Sequence, residues 1–294
     1  MRRIHADLLL IATAAVWGLA FVFQKTAMDN VGPLTFIAAR GLLAALALAP
    51  FAWFEQRKSG VTASANFRPI IVAGGVLFFL GAYLQQTGLI TATVSNAGFL
   101  TALYVIFVPM IAWAWYRRQP SIIVWPAAAV SFVGTWLLSG GAVGTFSTGD
   151  ALVAVSAVFW GAHVVVTGIA AQHGRPLLFT CVQFIIVGLL GLVGALAYET
   201  ISLAGIMRAA PEIAYVGLLA SALTFTLLTV AMRYTPAAEA SIIVSAESLF
   251  GALAGAILLG ERLTPVAWTG AALIVLATLV VQIAPHWPAK SAKT

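Results

Sequence analysis

The chain has 294 residues, of which 62% are hydrophobic and only 8% are charged. Soluble domains carry about 25% charged residues, so most of the surface of this protein must face lipid rather than water. The formal net charge of +6 comes from short basic clusters between apolar runs, a pattern typical of membrane-flanking loops and not of a nucleic-acid-binding face.

Ten apolar runs are long enough to cross a bilayer, whose core of about 30 Å needs about 20 helical residues. In chain order they cover roughly 8–26, 33–54, 69–89, 94–115, 122–140, 150–170, 176–198, 210–231, 237–259 and 265–284. The first run continues through Gln24 and Lys25 without a small-x-small cleavage site, so we interpret it as an uncleaved span rather than a signal peptide. Turn residues such as Gly140-Gly141 separate the runs.

The basic residues predict the orientation of these spans. If the N-terminus is cytoplasmic, eleven of the 15 Lys and Arg residues lie on the cytoplasmic side, Lys25, Arg208 and Arg262 lie outside, and Arg40 lies within a span. Short cytoplasmic loops carry an excess of Lys and Arg. We therefore expect both termini in the cytoplasm.

The two halves of the chain repeat one another. Residues 7–40 align with 150–183 without a gap, at an offset of 143. The matched pairs are Asp7 with Asp150, Trp17 with Trp160, Gly18 with Gly161, Pro33 with Pro176 and Phe36 with Phe179. At an offset of 144, Thr91 falls on Thr235 and Glu247 falls opposite Leu103.

Each half contains five spans, so the second half enters the membrane from the opposite side. Such inverted repeats are typical of secondary transporters, which open to either side when the two halves exchange conformations. We predict an all-α integral membrane protein of ten transmembrane helices. The two inverted five-helix repeats would cover 1–143 and 144–294, with both termini cytoplasmic.

Three motifs resemble the EamA branch of the drug/metabolite transporter superfamily. The stretch "NAGFLTALYVIFVP" (96–109) resembles the fourth span of that branch, "AAR" (38–40) the arginine of its second span, and "GERLTP" (260–265) its ninth-to-tenth connection. Together with the Trp-Gly pairs in spans 1 and 6, the resemblance covers nearly the whole chain. It implies a transporter, and within this group the chain resembles the bacterial aromatic amino-acid exporters.

One relative in the same superfamily differs in a useful way. The small multidrug-resistance proteins use a glutamate in their first helix to exchange cationic drugs for protons. Here span 1 has no acidic residue between Asp7 and Asp29. That mechanism therefore has no carrier at the matching position.

Polar stripes on spans 1 and 6 predict a substrate cavity. Residues at i, i+4, i+7 and i+11 share a helix face, and polar groups that face lipid are unfavourable. The stripes are Thr13, Trp17, Ala20 and Gln24 in span 1, and Ser156, Trp160, His163 and Thr167 in span 6. We predict that Trp17, Gln24, Trp160 and His163 bind substrate. Packing against neighbouring helices is the alternative for the tryptophans. For His163 we expect a neutral, hydrogen-bonding side chain, with a proton carrier as the alternative.

Further polar residues at membrane depth are candidates for the same cavity. They are Tyr83 and Gln86 in span 3, Asn96, Thr101 and Tyr104 in span 4, Thr224 in span 8, and Ser245 and Ser248 in span 9. Aromatic faces and uncharged polar groups suit a zwitterion with an apolar side chain. Small hydroxyls also occur where membrane helices merely touch.

Three charged residues are expected within the membrane, where charges are functional candidates. They are Glu239, Glu247 and Arg40. Glu247 breaks the repeat symmetry and could set direction or coupling, with a structural ion pair as its alternative. For Arg40 we expect a structural ion pair. Pro109 and Pro126 are candidate helix bends.

The sequence therefore predicts an alternating-access exporter of small amphipathic metabolites in the bacterial inner membrane. Amino acids with aromatic or bulky apolar side chains are the expected cargo. Few embedded acids favour facilitated export over obligatory proton antiport. The alternative is an exporter of drugs or lipophilic cations. A membrane enzyme or sensor is a distant third, because no nucleophile–base motif or metal-ligand cluster is apparent.

The expected partners are a small-molecule substrate and the lipid bilayer, without nucleic acid, and we expect that a monomer suffices. Cys181 is the single cysteine, so it can form neither an internal disulfide nor a multi-cysteine metal site. We expect neither a cofactor nor a metal ion.

Overall fold

The computed structural model describes residues 1–59, 66–117, 119–141, 146–258 and 263–283. Those residues fold into helices and turns and contain no strand. Every one of the ten predicted spans is present there as a helix or as consecutive helices. Nine of them are long and apolar enough to cross a membrane, and span 5 is a shorter apolar helix. The prediction of an all-α membrane protein is confirmed.

The helices follow in chain order. They are α1 (Arg3–Ala27), α2 (Pro33–Ser59), α3 (Phe67–Gly88), α4 (Val94–Thr101), α5 (Tyr104–Tyr116), α6 (Val124–Leu138), α7 (Thr148–Ala171), α8 (Pro176–Tyr198), α9 (Leu203–Arg208), α10 (Ala210–Ala214), a π-helix (Tyr215–Leu223), α11 (Thr224–Ala231), α12 (Ala237–Val244), α13 (Glu247–Leu258) and α14 (Pro265–Ile283). Span 4 consists of α4 and α5, span 9 of α12 and α13, and span 8 of α10, the π-helix and α11. The short α9 connects spans 7 and 8.

Local sequence signals set where several helices begin. Proline occupies the first position of α2, α8 and α14, where its missing N–H would have no intrahelical partner in any case. The Ser147 hydroxyl accepts a hydrogen bond from the Asp150 backbone N–H at 3.1 Å, and the Asp150 carboxylate accepts one from the Ser147 N–H at 2.8 Å. This capping box fixes the start of span 6.

The starts of spans 1 and 6 lie at opposite ends of the helix bundle. Asp7, near the start of span 1, accepts a hydrogen bond from Thr235 Oγ1, just before span 9, at 2.8 Å. Asp150, at the start of span 6, accepts one from Asn96 Nδ2, at the start of span 4, at 3.2 Å. We call these the Asp7 end and the Asp150 end. The two five-helix halves are therefore inverted, as the offset of 143 predicts.

Basic residues concentrate at the Asp7 end. Among the described residues, this end carries Arg2, Arg3, Arg57, Lys58, Arg68, Arg117, Arg175 and Arg233, whereas the Asp150 end carries Lys25 and Arg208. The remaining predicted loop charges, Arg118, Arg262, Lys290 and Lys293, lie outside the described residues, as does most of the "GERLTP" motif. We expect both termini in the cytoplasm because of this unequal distribution of basic residues between the two ends.

Spans 2 and 7 cross the bundle as a closely packed antiparallel pair. A Cβ added at Gly41 would lie 3.0 Å from the backbone nitrogen of Gly188, and one added at Gly191 would lie 2.8 Å from that of Ala38. Small residues let membrane helices approach closely enough for backbone contact. The glycines therefore determine how near these two spans can lie.

Each of these two spans also caps the other. The Glu199 carboxylate, at the end of span 7, accepts hydrogen bonds from the backbone N–H groups of Leu34 and Thr35, each at 2.8 Å. The Glu55 carboxylate of span 2 accepts one from the N–H of Leu178 at 2.8 Å. Helix N-termini have unsatisfied N–H groups and a positive dipole end, which a carboxylate stabilises. The caps thus join the two repeats at both ends.

The other spans pack beside this pair and against one another. Spans 3 and 6 pack extensively against each other, as do spans 5 and 10, and span 1 packs against both halves of span 9. Large apolar residues remain on the outer surface: Leu46 is 73% exposed and Leu196 is 69% exposed. Lipid is the solvent that such a surface requires.

Spans 4 and 9 are interrupted at matching positions. The breaks fall at Ala102 and Leu103 in span 4 and at Ser245 and Ala246 in span 9, again 143 residues apart. At each break a backbone N–H bonds three residues back instead of four, from Leu103 to Leu100 and from Ala246 to Ile243, both at 3.3 Å. At the offset of 143, the counterpart of Glu247 in the first repeat is Tyr104. The offset of 144 had placed Glu247 opposite Leu103. Pro109 lies inside the continuous α5, away from the break.

We expect Gly18→Ala to destabilise the fold. A Cβ at Gly18 would lie 2.5 Å from the Glu247 carbonyl oxygen and 2.6 Å from the Gly251 nitrogen, so span 1 would have to move away from span 9. Such overpacking costs about 1–3 kcal/mol of unfolding free energy. Thermal denaturation in detergent measures the change. Gly98→Ala is the control, because its Cβ would meet nothing within 4 Å. Equal stability of the two variants would contradict the tight contact.

We expect Glu199→Ala and Glu55→Ala each to lower the unfolding free energy by about 0.5–2 kcal/mol, because each removes a helix cap. The two caps lie at opposite ends of spans 2 and 7, so their effects should add to within about 0.5 kcal/mol in the double variant. Denaturation of the three variants in detergent checks both statements. A double variant no less stable than the singles would show that the caps do not act separately.

Candidate functional site

A central cavity lies between the two repeats. Its lining comes from spans 1, 2, 3, 4, 6, 8 and 9, and it encloses about 590 Å³ of space, including the part open to solvent. The lining residues are Trp17, Ala20, Phe21, Gln24, Arg40, Phe78, Gln85, Thr101, Tyr104, Trp160, His163, Val164, Val216, Ala220, Phe225 and Glu247. The cavity thus brings aromatic, polar and charged side chains of both repeats together.

One wall of the cavity is aromatic. Phe78 makes edge-to-face contacts with Trp160, Phe225 and His163, with ring centroids 5.0, 4.9 and 5.4 Å apart. Trp17 lies against the opposite side of Phe225, at 4.8 Å. Such ring arrangements are the favourable ones for aromatic pairs. The rings form a preorganised apolar surface for a flat or bulky apolar group.

The two symmetry-related tryptophans differ in their hydrogen bonding. Trp17 Nε1 donates to the Ala220 carbonyl at 3.0 Å and to Thr224 Oγ1 at 2.8 Å. Trp160 Nε1 is buried and has no hydrogen-bond partner among the described residues. Buried indole N–H groups usually find a partner. Trp17 is therefore held by span 8, whereas the Trp160 donor has no partner in the described part of the chain.

The bond from Trp17 ends on the π-helix in span 8. Hydrogen bonds in a π-helix skip one more residue than in an α-helix, and such segments are frequent at functional sites. At the junction with α11, the Ala220 carbonyl accepts from both Trp17 Nε1 and Thr224 Oγ1, the latter at 2.7 Å. The matching segment of span 3 is a continuous α-helix. The repeats are therefore asymmetric at this place.

The breaks in spans 4 and 9 reach the cavity. Thr101, the last residue of α4, accepts a hydrogen bond from Gln85 Nε2 at 2.8 Å. Tyr104, the first residue of α5, donates to Glu247 Oε1 at 3.2 Å. Glu247 is in turn the first residue of α13. Discontinuous helices whose ends meet at a binding site are a recurrent device of secondary transporters.

Two matched polar pairs lie on spans 1, 2, 6 and 7. Arg40 Nη1 donates to Gln24 Oε1 at 3.5 Å, and in the second repeat His163 Nε2 lies 3.0 Å from Gln183 Oε1. Gln183 is the counterpart of Arg40 at the offset of 143. The hydrogen bond expected for His163 is present. Within the described ranges no carboxylate lies within 4.0 Å of Arg40, so those residues do not form the ion pair expected for it.

Several predicted site residues lie elsewhere. Thr224 and Ser245 contact other helices, Thr224 through Trp17 and Ser245 through Ser131 Oγ at 2.7 Å. Gln86 is fully buried and donates to the Gln24 carbonyl at 2.8 Å. Tyr83 is 37% exposed outside the cavity. For these residues the contacts favour packing, and so they are not among the residues that we place around the substrate.

Asn96 and Glu239 close the two ends of the bundle rather than line the cavity. They occupy equivalent positions, because 239 and 96 differ by 143. At the Asp7 end Glu239 forms an ion pair with Arg3, whose Nε also lies 3.7 Å from Asp7 Oδ2. At the Asp150 end Asn96 contacts Asp150 through a single hydrogen bond. Thus charged contacts join spans 1 and 9, whereas a single hydrogen bond joins spans 4 and 6 at the other end.

A second cavity lies between the central cavity and the Asp150 end. It contains about 960 Å³ including open solvent, and Ser248, Lys25 and Ser95 are among its lining residues. It shares Phe21 and Glu247 with the central cavity. Ser248 therefore lines this second cavity, and Phe21 and Glu247 border both cavities.

Sequence reasoning missed several residues at or beside the cavity. They include Phe78, Gln85, Gln183 and Phe225. Phe78 and Gln85 are seven residues apart, so the same helix-face spacing that identified the stripes of spans 1 and 6 would have found them in span 3. Phe225 follows the π-helix, where a 3.6-residue period does not apply. Among the described residues, no three His, Cys, Asp or Glu side chains come together as a metal site would require.

We expect Trp17→Phe and Trp160→Phe to have different effects. Trp17→Phe removes two hydrogen bonds inside the bundle, so the unfolding free energy should fall by about 1 kcal/mol. Trp160→Phe removes a donor without a protein partner, so stability should be unchanged while substrate affinity falls. Thermal denaturation and ligand binding in detergent measure the two effects. Equal loss of stability in both variants would contradict this asymmetry.

Comparison with known proteins agrees with the architecture. The sequence profile of the EamA-like transporter family matches the chain twice, at residues 4–140 and 147–283. An "Uncharacterized transporter" of Archaeoglobus fulgidus is 30% identical over 286 residues, which cover 96% of this chain and 87% of that protein. The "Uncharacterized transporter YwfM" of Bacillus subtilis is 27% identical, covering 95% of this chain and 94% of that protein.

A solved crystal structure shares the fold. It superposes with a TM-score of 0.78 at 16% sequence identity, and the match covers 97% of this chain and 99% of the other. The "Uncharacterized inner membrane transporter YicL" of Salmonella typhimurium is also similar, at 26% identity over 96% of this chain. The chain therefore belongs to the EamA-like transporter family and is a membrane transporter of the drug/metabolite transporter superfamily.

Proposed function

We propose that this protein exports small amphipathic metabolites, principally amino acids with aromatic or bulky apolar side chains. The observation that carries the proposal is the aromatic wall formed by Trp17, Phe78, Trp160 and Phe225 beside two charged groups of opposite sign. An apolar side chain would pack against the rings while a polar backbone reached the charges. The inversion of the repeats supports alternating access.

The proposed membrane is the bacterial inner membrane, with the basic Asp7 end in the cytoplasm. In that orientation the second cavity opens outward, and Arg3, Asp7 and Glu239 hold the cytoplasmic end together. Export would require those contacts to open, so that substrate enters the cavity from the cytoplasm. A monomer contains all the lining residues of the central cavity.

We propose that transport is driven by the substrate gradient. Glu239 is occupied by Arg3 at the end of the bundle, which leaves Glu247 as the one carboxylate in the lining of the central cavity. A carboxylate that also contacts the substrate can serve binding without carrying protons across. Span 1, where the small multidrug-resistance proteins have their glutamate, contributes Trp17 and Gln24 instead.

We expect proteoliposomes loaded with labelled phenylalanine to release it without a pH gradient, and a proton ionophore to leave the rate unchanged. Trp17→Ala combined with Trp160→Ala should slow release at least tenfold, because the apolar group loses its ring contacts. Trp115→Ala is the matched control, since Trp115 is 67% exposed on the outer surface. Release only under an imposed pH gradient would overturn the uncoupled mechanism.

The second candidate is an exporter of lipophilic cations. It is favoured by the same rings together with the Glu247 carboxylate, since both attract cations. Protection of cells against cationic dyes, with no phenylalanine release from proteoliposomes, would establish this candidate in place of the first. Unchanged release in the double tryptophan variant would return those residues to a packing role.

A further inference from the structure

We propose that Arg40 binds the carboxylate of the transported molecule and that the cavity therefore selects carboxylates over the corresponding amides and amines. The inference rests on the proposed function for its choice of amino acids. It also gives the orientation of the bound molecule. The carboxylate would lie against span 2, the apolar side chain against the aromatic wall, and the ammonium group towards Glu247. Each part of this arrangement follows from contacts around Arg40.

Arg40 is an uncompensated buried cation. Its side chain is 4% exposed, yet no carboxylate comes within 4.0 Å of it in the parts of the chain that are described. A buried charge without a counter-charge is unfavourable by several kcal/mol. The rings of Phe36 and Phe78, with centroids 5.6 and 5.7 Å from Arg40 Cζ, offset part of this. A group retained at such a cost needs a purpose other than stability.

The donors of Arg40 that lack a partner are the ones that recognise carboxylates. Nε and Nη2 are buried and make no hydrogen bond within the described chain, whereas Nη1 contacts Gln24. Nε and Nη2 form one edge of the planar guanidinium. Two parallel N–H groups on one edge match the two oxygens of a carboxylate. Arg40 also lines the central cavity, so a ligand would meet this buried edge when the cavity opens around it.

The second repeat lacks this cation, so the two repeats contribute different charges to the cavity. The counterpart of Arg40 is Gln183, which is already bonded to His163. Glu247 provides the negative group, held by Tyr104 at the junction of the broken spans. Arg40 and Glu247 line the same cavity without forming an ion pair with each other. A zwitterion would therefore satisfy both charges in one orientation.

Binding of three probes to the purified full-length protein tests the inference. The probes are L-phenylalanine, L-phenylalaninamide, which lacks the carboxylate charge, and 3-phenylpropionate, which lacks the ammonium group. A ligand that binds the folded state raises the melting temperature according to its concentration and affinity. For the native protein we expect phenylalaninamide to bind at least tenfold more weakly than phenylalanine, and 3-phenylpropionate to bind measurably.

Arg40→Gln should lower the affinity for phenylalanine at least tenfold and leave the affinity for phenylalaninamide unchanged. Arg57→Gln is the matched control, since Arg57 lies on the same helix but is exposed and stacks on Trp53 at 3.7 Å. Without ligand, Arg40→Gln should melt no lower than the native protein, because the substitution removes a buried charge that lacks a counter-charge. Removal of a purely structural arginine would instead lower the melting temperature. Arg40→Lys, which keeps the charge but loses the paired donors, should bind phenylalanine with intermediate affinity.

The outcomes separate this inference from the proposed function. Equal binding of phenylalanine and its amide by the native protein, or an undiminished preference in Arg40→Gln, would overturn the role of Arg40 even if phenylalanine is transported. Binding of 3-phenylpropionate that depends on Arg40, without release of phenylalanine from proteoliposomes, would support Arg40 and overturn amino acids as the cargo. If Arg40→Gln fails to fold, the native protein's preference and Arg40→Lys decide.

Discussion

The antiparallel contact between spans 2 and 7 constrains the rest of the bundle. Glycine backbones set the distance between the two helices, and the carboxylates of Glu55 and Glu199 fix their register by capping the start of the opposite helix. In lipid every such N–H must find a partner within the protein. Once this pair is placed, the inverted repeats bring spans 1, 3 and 4 opposite spans 6, 8 and 9, and the cavity is the space left between them.

Charge is used sparingly inside this space. Among the described residues, the lining of the central cavity contains one cation and one carboxylate, and a third charge, Glu239, is neutralised by Arg3 at the end of the bundle. Because isolated charges are unfavourable in a membrane protein, the zwitterion that we propose as ligand would stabilise both charges in the cavity. The aromatic wall adds affinity for an apolar group but no preference between charged ends. Selectivity for the polar part of the ligand therefore depends on very few atoms.

Much of the fold could be predicted because lipid demands long apolar runs, and the offset of 143 follows from Trp17, Pro33 and Asp7 having counterparts. The helix-face rule also placed Trp17, Gln24, Trp160 and His163 correctly around the cavity. It could not locate the breaks at Ala102 and Ser245, which carry neither glycine nor proline, nor the π-helix that precedes Phe225. Ser245 and Thr224 bond neighbouring helices in the structure, and a polar residue looks the same in sequence whether it bonds a helix or a ligand.

The reciprocal glutamate caps have a consequence for how such a chain could arise. A single five-helix half would leave the start of its second helix without a carboxylate, since the cap comes from the other half. Two copies of one half, inserted in opposite directions, would supply each other's missing cap through the same contact. The interface that holds this monomer together therefore has the form of a symmetric homodimer interface, and joining the copies in one gene would free each half to acquire residues such as Arg40 that its twin lacks.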